Sequence, residues 1–269
     1  QSLPSLMSDF LDTMAASSAA RAKAALVPTP RLRPRPALDT SRFGIIAEIK
    51  NRSPAEGALA SSDADRASRA RRYANAGATA ISVLTEPERF DGSLDHLAEV
   101  VDAVPGTPVM RKDFLVAPVQ VEEAHAVGAS GVLLITAMLD DRQLNTMLDC
   151  AWNHDLFVLL EAFSEADIQR AHTLLDSVVH QAKADHGELL FGVNSRNLRT
   201  LEVDATRLER YAPLLPRGIT VAESGLKTPA DALCAAAQGY RLALVGTALM
   251  RAEDPGVLLR SMVAEAQAA

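Results

Sequence analysis

Gly44-Ile45-Ile46-Ala47-Glu48-Ile49-Lys50 is an apolar run that closes on two charged residues of the same parity. In an extended chain, side chains alternate between faces, so Ile46, Glu48 and Lys50 share one face and Ile45, Ala47 and Ile49 the other. A strand apolar on both faces belongs in a parallel sheet that is covered on both sides. Seven more runs of this kind follow, at 79–84, 108–110, 131–135, 157–160, 189–193, 219–221 and 242–245. Helical patterns alternate with them at 65–76, 94–104, 119–127, 142–154, 165–184, 205–211, 229–238 and 255–266. Eight strand–helix units in the roughly 225 residues after Phe43 suit a closed barrel better than an open doubly wound sheet. No Gly-x-Gly-x-x-Gly follows the first run, which also weighs against a dinucleotide-binding sheet. The expected fold class is α/β, a single (β/α)₈ TIM barrel.

Residues 1–42 differ from 43–269. Positions 5–26 read as an Ala-rich helix with apolar Leu6, Phe10, Leu11 and Met14, followed by a Pro/Arg-rich arm that cannot continue a helix. A flexible leader and a helix packed on the barrel are both open at this point. At 269 residues, one core suffices for folding without a staple. A net charge of −7 and an aromatic content of 4 %, with one Trp, argue against a nucleic-acid partner. No apolar run is long enough for a bilayer and no secretory leader is visible, so neither a membrane nor export is expected. Cys150 and Cys234, far apart and without zinc spacing, are expected to be buried free thiols in a reducing cytoplasm.

In such a barrel, chemistry sits where the strands end. Lysine is scarce (five in all), yet Lys50 and Lys112 both close apolar strands, where an unpaired ammonium is costly. Glu48 and Glu161 are available to pair with them, making a mixed acid/base set without metal-ligand spacing. None of the six histidines closes a strand, so histidine catalysis, a histidine metal site and a serine nucleophile lack support. At the last two exits, Ser224-Gly225 and Gly246-Thr247 offer hydroxyls and approachable amides. Residues 247–250 can begin a short helix, a combination suited to phosphate.

Ala47-Glu48-Ile49-Lys50-x-x-Ser53-Pro54, Ile81–Glu86 with Phe90-x-Gly92-Ser93-Leu94, and Arg111-Lys112-Asp113-Phe114 carry a family resemblance. So do Leu160-Glu161, Gly192 to Leu198, Ala222-Glu223-Ser224-Gly225, and Val245-Gly246-x-x-Leu249-Met250-Arg251. In this order, over roughly residues 44–251, the chain closely resembles indole-3-glycerol-phosphate synthases. The resemblance implies a carbon–carbon lyase of tryptophan biosynthesis acting on 1-(2-carboxyphenylamino)-1-deoxyribulose 5-phosphate without a cofactor or metal. It implies Lys112 as general acid, assisted by Glu161, Lys50 and Glu48. It assigns Ser53, Asn194, Arg196 and Glu223 to positioning substrate, and Pro54, Phe90 and Phe114 to an aromatic pocket. It assigns Ser224, Gly225, Gly246 and Thr247, with Arg52 helping, to phosphate. The amino-terminal helix would cover the barrel mouth, and the protein would act as a monomer or weak homodimer.

Three departures stand out, one being that the residues before Phe43 match the family only loosely, with a short stretch joining the covering helix to the first strand. The loop Asn51–Gly57 is less basic than the common bacterial form, and the segment around 174–188 is longer and expected on the amino-terminal face. They leave room for a paralogue acting on a substituted anthranilate adduct. A non-catalytic phosphate-binding barrel is the reading from a different class, and the retained proton-transfer set argues against it.

Overall fold

The computed structural model describes residues 5–268 apart from 32, 34, 60–64, 198 and 199, and describes no side chains for 5–9. The expected contribution of Leu6 and the Leu198 of the sixth-strand motif therefore lie outside the described residues. Eight strands form one closed parallel barrel. They are β1 (Gly44–Ile49), β2 (Ala80–Leu84), β3 (Val109–Lys112), β4 (Gly131–Ile135), β5 (Phe157–Ala162), β6 (Leu189–Asn194), β7 (Ile219–Glu223) and β8 (Leu242–Val245). Closure comes from β1 pairing with both β2 and β8, with Glu48 opposite Ser82 and Ala47 opposite Val245. Among the described residues, no helix is long and apolar enough to cross a membrane.

Strand parity sorts the core into two. Ile46, Met110, Leu133, Leu159, Leu190, Val221 and Leu242 fill the barrel interior. Ile45, Ala47, Ile49, Ile81, Val83 and Val158 face the outer helices. The helices start where short polar side chains accept otherwise orphaned backbone N–H groups. Ser93 accepts from His96 N, Asp140 from Gln143 N, and Asp254 from Val257 N. The segment 165–184, expected as one helix, is two: Glu165–Leu174 and Val178–Asp185. The break falls at Asp176-Ser177, residues that compete for backbone hydrogen bonds and favour helix ends. The second helix leads into the amino end of β6 and packs on Trp152, whose Nε1 donates to His180 Nδ1 at 3.1 Å.

The amino-terminal segment packs on the barrel. Helix α1 (Ser5–Lys23) places Leu11 and Met14 among the interior residues at the mouth, beside Phe114 and Ile135. Ser18 Oγ accepts from Gln120 Nε2 at 2.8 Å, and the Arg21 guanidinium grips buried Asp113 through two hydrogen bonds of 2.8 and 2.9 Å. The arm then descends the outside of the barrel. Arg31 donates to Asp102, and Arg35 donates to the carbonyls of Ala129 and His125. Cys150 is half-buried and Cys234 is exposed, correcting the expectation of two buried thiols; both are free. Cys234 lies on the solvent side of the helix Pro229–Ala237, where its neighbours Ala232 and Ala235 face the core.

Candidate active site

Strands β1 and β3 deliver their terminal side chains to one point above the interior core. Glu48, 1 % exposed, is paired with Lys50 Nζ through Oε1 at 2.7 Å and with Lys112 Nζ through Oε2 at 2.9 Å. Both lysines thus share Glu48, whereas the sequence left Glu161 as an equal partner. Burial by itself raises a carboxyl pKa, but the charges of Lys112 and Lys50 outweigh it and hold Glu48 at about 2. Burial pushes Lys112 down, yet Glu48, Glu161 and Glu223 together raise it above the ordinary lysine value. Its ammonium is therefore charged at neutral pH.

Glu161 on β5 and Glu223 on β7 form the second half of the floor. Both are buried, and each keeps carboxyl oxygens that meet no hydrogen-bond donor among the described residues: Oε2 of Glu161, and Oε1 and Oε2 of Glu223. Burial first, and then repulsion from Glu161, push Glu223 well above the ordinary carboxylate range. Gly192, on the strand between them, supplies the room: a Cβ there would stand 2.1 Å from Glu223 Oε1. Gly246 does the same for the other half, since a Cβ would stand 2.5 Å from Glu48 Oε1.

Parity on β3 explains why Lys112 is held so firmly. Its neighbours Arg111 and Asp113 turn away from the mouth into a buried network. Thr85 Oγ1 donates to Asp113 at 2.7 Å and accepts from Arg111 Nε at 2.9 Å; Arg111 also donates to Glu123 and the Gln120 carbonyl. Burial raises the Asp113 pKa, but the hydrogen bond from Arg21 and the charge of Arg111 leave it lowered overall.

Above this floor opens a cavity of about 480 Å³, a size suited to a small metabolite. Every residue singled out from the sequence lines it except Arg52, which is exposed on the short hairpin after β1. One wall is apolar: Pro54, Phe90 and Phe114, with the Phe114 ring 6.1 Å from Phe90 and 5.9 Å from Phe10. The opposite rim holds Ser224, Gly225, Gly246 and Thr247. Ser224 and Gly225 both adopt left-handed backbone, at φ 68° and 82°. The Ser224 hydroxyl donates to Asn194 Oδ1 at 2.8 Å, and that oxygen also accepts from Arg196 N. Arg196 itself is tied to the Leu201 carbonyl at 2.6 Å.

The sequence reading missed several lining residues. Phe10, which the sequence shows only as an apolar helix position, is one of them. Leu133, Ile135 and Phe163 carry no signal that separates them from core. Arg251, pairing with Glu56 at 3.0 Å on the rim, had a usable signal, since it closes the last family motif.

Comparison with known proteins agrees with this architecture. Solved structures of similar fold include a 3-hexulose-6-phosphate synthase from Salmonella typhimurium, with TM-score 0.61 and 12 % identity, covering 83 % of this chain and 98 % of that one. A thiamine phosphate pyrophosphorylase from Pyrococcus furiosus gives TM-score 0.58 and 16 % identity, with 85 % and 96 % covered. At such identities the likeness concerns the fold alone. Sequence relatives are nearer. An indole-3-glycerol phosphate synthase of Parafrankia sp. is 45 % identical over 227 residues, 84 % of this chain and 80 % of its own. One from Nocardioides sp. is 43 % identical over 256 residues, 94 % and 93 % of the two chains. The family model described as indole-3-glycerol phosphate synthase matches residues 20–262, and the chain belongs to that family.

Proposed function

We propose that this protein converts 1-(2-carboxyphenylamino)-1-deoxyribulose 5-phosphate to indole-3-glycerol phosphate, carbon dioxide and water, as a carboxy-lyase of tryptophan biosynthesis. The observation that carries the reading is the charged Lys112 ammonium held against Glu48 in the floor of a cavity with an aromatic wall and a hydroxyl- and amide-lined rim. The aromatic ring of the substrate fits Pro54, Phe90 and Phe114. Its phosphate suits the loops at Ser224-Gly225 and Gly246-Thr247, which line the rim with two glycines and two hydroxyl-bearing residues.

With both ends anchored, the ketone carbon lies over the floor. Lys112 donates a proton to the carbonyl oxygen while the ring carbon bearing the carboxylate attacks the carbonyl carbon. Loss of carbon dioxide restores the aromatic sextet. The new hydroxyl then leaves as water, with a proton supplied from the Lys112–Glu48–Lys50 cluster, and the ring N–H or C–H proton passes to a carboxylate. Glu161 and Glu223, whose oxygens lack donors, suit the substrate amine and sugar hydroxyls. Each positioned acid or base contributes about 10²–10⁴ in rate.

Residues 43–269 are proposed as the catalytic unit, with the helix of the 1–42 segment completing its mouth and the arm bracing the barrel outside. The free thiols suit a reducing compartment, and the cytoplasm is the proposed location. That the named relatives share one activity in their names favours the unsubstituted substrate over a ring-substituted one. Turnover of that substrate by purified protein, followed by indole fluorescence without added metal, tests the reading. Turnover supports it; none by folded protein overturns it.

A further inference from the structure

Outside the barrel, two neighbouring helices each present a spaced pair of metal-binding residue types. Pro118–Ala126 carries Glu122 and His125, three apart; Asp141–Asn153 and its cap carry Cys150 and His154, four apart. Such spacings place both members of a pair on one helix face. The fold sets the two faces together. Ligand atoms of Glu122, Cys150 and His154 all lie within 4.8 Å of one another, and all three residues are half-buried, hence reachable from solvent. The rings of His125 and His154 stack with centroids 4.3 Å apart.

We propose that Glu122, Cys150 and His154 form a binding site for a zinc-class divalent transition ion, independent of the barrel-mouth chemistry. Bonds of about 2.0–2.3 Å from a tetrahedral ion put its ligand atoms about 3.3–3.8 Å apart, so closure needs only small side-chain rotations. The donor set balances the ion: a carboxylate and a thiolate carry two negative charges, and the imidazole is neutral. Hard magnesium or calcium would not choose a thiolate and an imidazole. Binding removes the Sγ–H proton of Cys150 to solvent. That proton is otherwise directed at the Pro118 carbonyl, 3.7 Å from Sγ, so an ion that forms the thiolate must displace it. The fourth position is left to solvent or to His125, whose ring stacks on that of His154. Sequence spacing alone gave no such site, because each helix holds only half of it.

The test uses untagged full-length protein titrated with Co²⁺, read by the thiolate-to-cobalt charge-transfer absorption in the near ultraviolet. Zn²⁺ is then added to displace the band and raise Tm. The expected result is a one-equivalent band that Zn²⁺ bleaches, lost in both Cys150→Ser and His154→Ala while their turnover stays at the wild-type level. Absence of the band in wild-type protein would overturn the site, as would its persistence in both variants. A band lost only in Cys150→Ser would reduce it to simple thiol binding and overturn the three-ligand assignment.

Discussion

Lys112 Nζ lies 2.9 Å from Glu48 Oε2, an ion pair that joins the third strand of the barrel to the first at the level where the cavity begins. Because Lys50 holds the other oxygen of the same carboxylate, the two ammonium groups are fixed relative to each other through a single buried anion. A donor whose position is already set is what general acid catalysis requires, and that is the role proposed for Lys112.

Replacing Lys112 by Ala is expected to lower kcat by at least about 10²–10⁴. Circular dichroism should stay native-like, since the barrel core beneath is apolar. Wild-type turnover in the folded variant would falsify the role.

Acid titration should expose the Glu48 pairs. The folded pKa of Glu48, about 2, lies below its ordinary 4.5, so the pairs contribute fully above that value. Their contribution drains away as pH falls from 4.5 toward 2. In Glu48→Gln, Tm should be lower at neutral pH and change less steeply across this window than in wild type. Parallel curves for the two proteins would mean that Glu48 is not held down by its lysines.

Glu223 has the opposite sign. Its folded pKa is raised, so the unfolded chain gives up its proton first and stability declines as pH rises from the ordinary carboxylate value through the folded one. Glu223→Gln removes that decline: its Tm should gain on wild type as pH increases, while kcat/KM falls. A Tm difference independent of pH would rule the repulsion out.

Gly192→Ala adds one methyl group 2.1 Å from a carboxylate oxygen. The displaced Glu223 should cost turnover far more than stability, an outcome readable as a loss of kcat/KM with Tm changed by only a few degrees. Unaltered kinetics would show that Glu223 does not need its observed position.

Loss of the Arg21 guanidinium leaves Asp113 with Arg111, Thr85 and the Phe114 N–H. Arg21→Ala should therefore cost about 1.5–3 kcal/mol, the range for hydrogen bonds to a charged group, measured by urea unfolding. KM should rise as α1 loosens over the mouth. No change in either quantity would detach α1 from the site.

The barrel was legible in the sequence because its strands are short apolar runs with a strict parity, and the same parity set Glu48 and Lys50 on one face. Lys112 was legible as a rare lysine ending a strand. What escaped were relationships between strands. That Glu48 serves both lysines depends on β1 and β3 standing one strand apart in a closed ring. That Glu161 and Glu223 repel depends on the gap at Gly192. Arg52 stands apart from the lining for a local reason: it is exposed on the hairpin after β1, and parity says nothing beyond a strand's end. The break at Asp176-Ser177 was hidden by helix formers on both sides.

Helix α1 comes first in the chain but cannot be placed first. Its anchors, Asp113 and Gln120, lie 92 and 102 residues further on, so a growing chain presents α1 long before anything exists for it to dock on. The mouth is therefore sealed late in assembly and, by the same logic, is the part that opens most readily without the barrel coming apart.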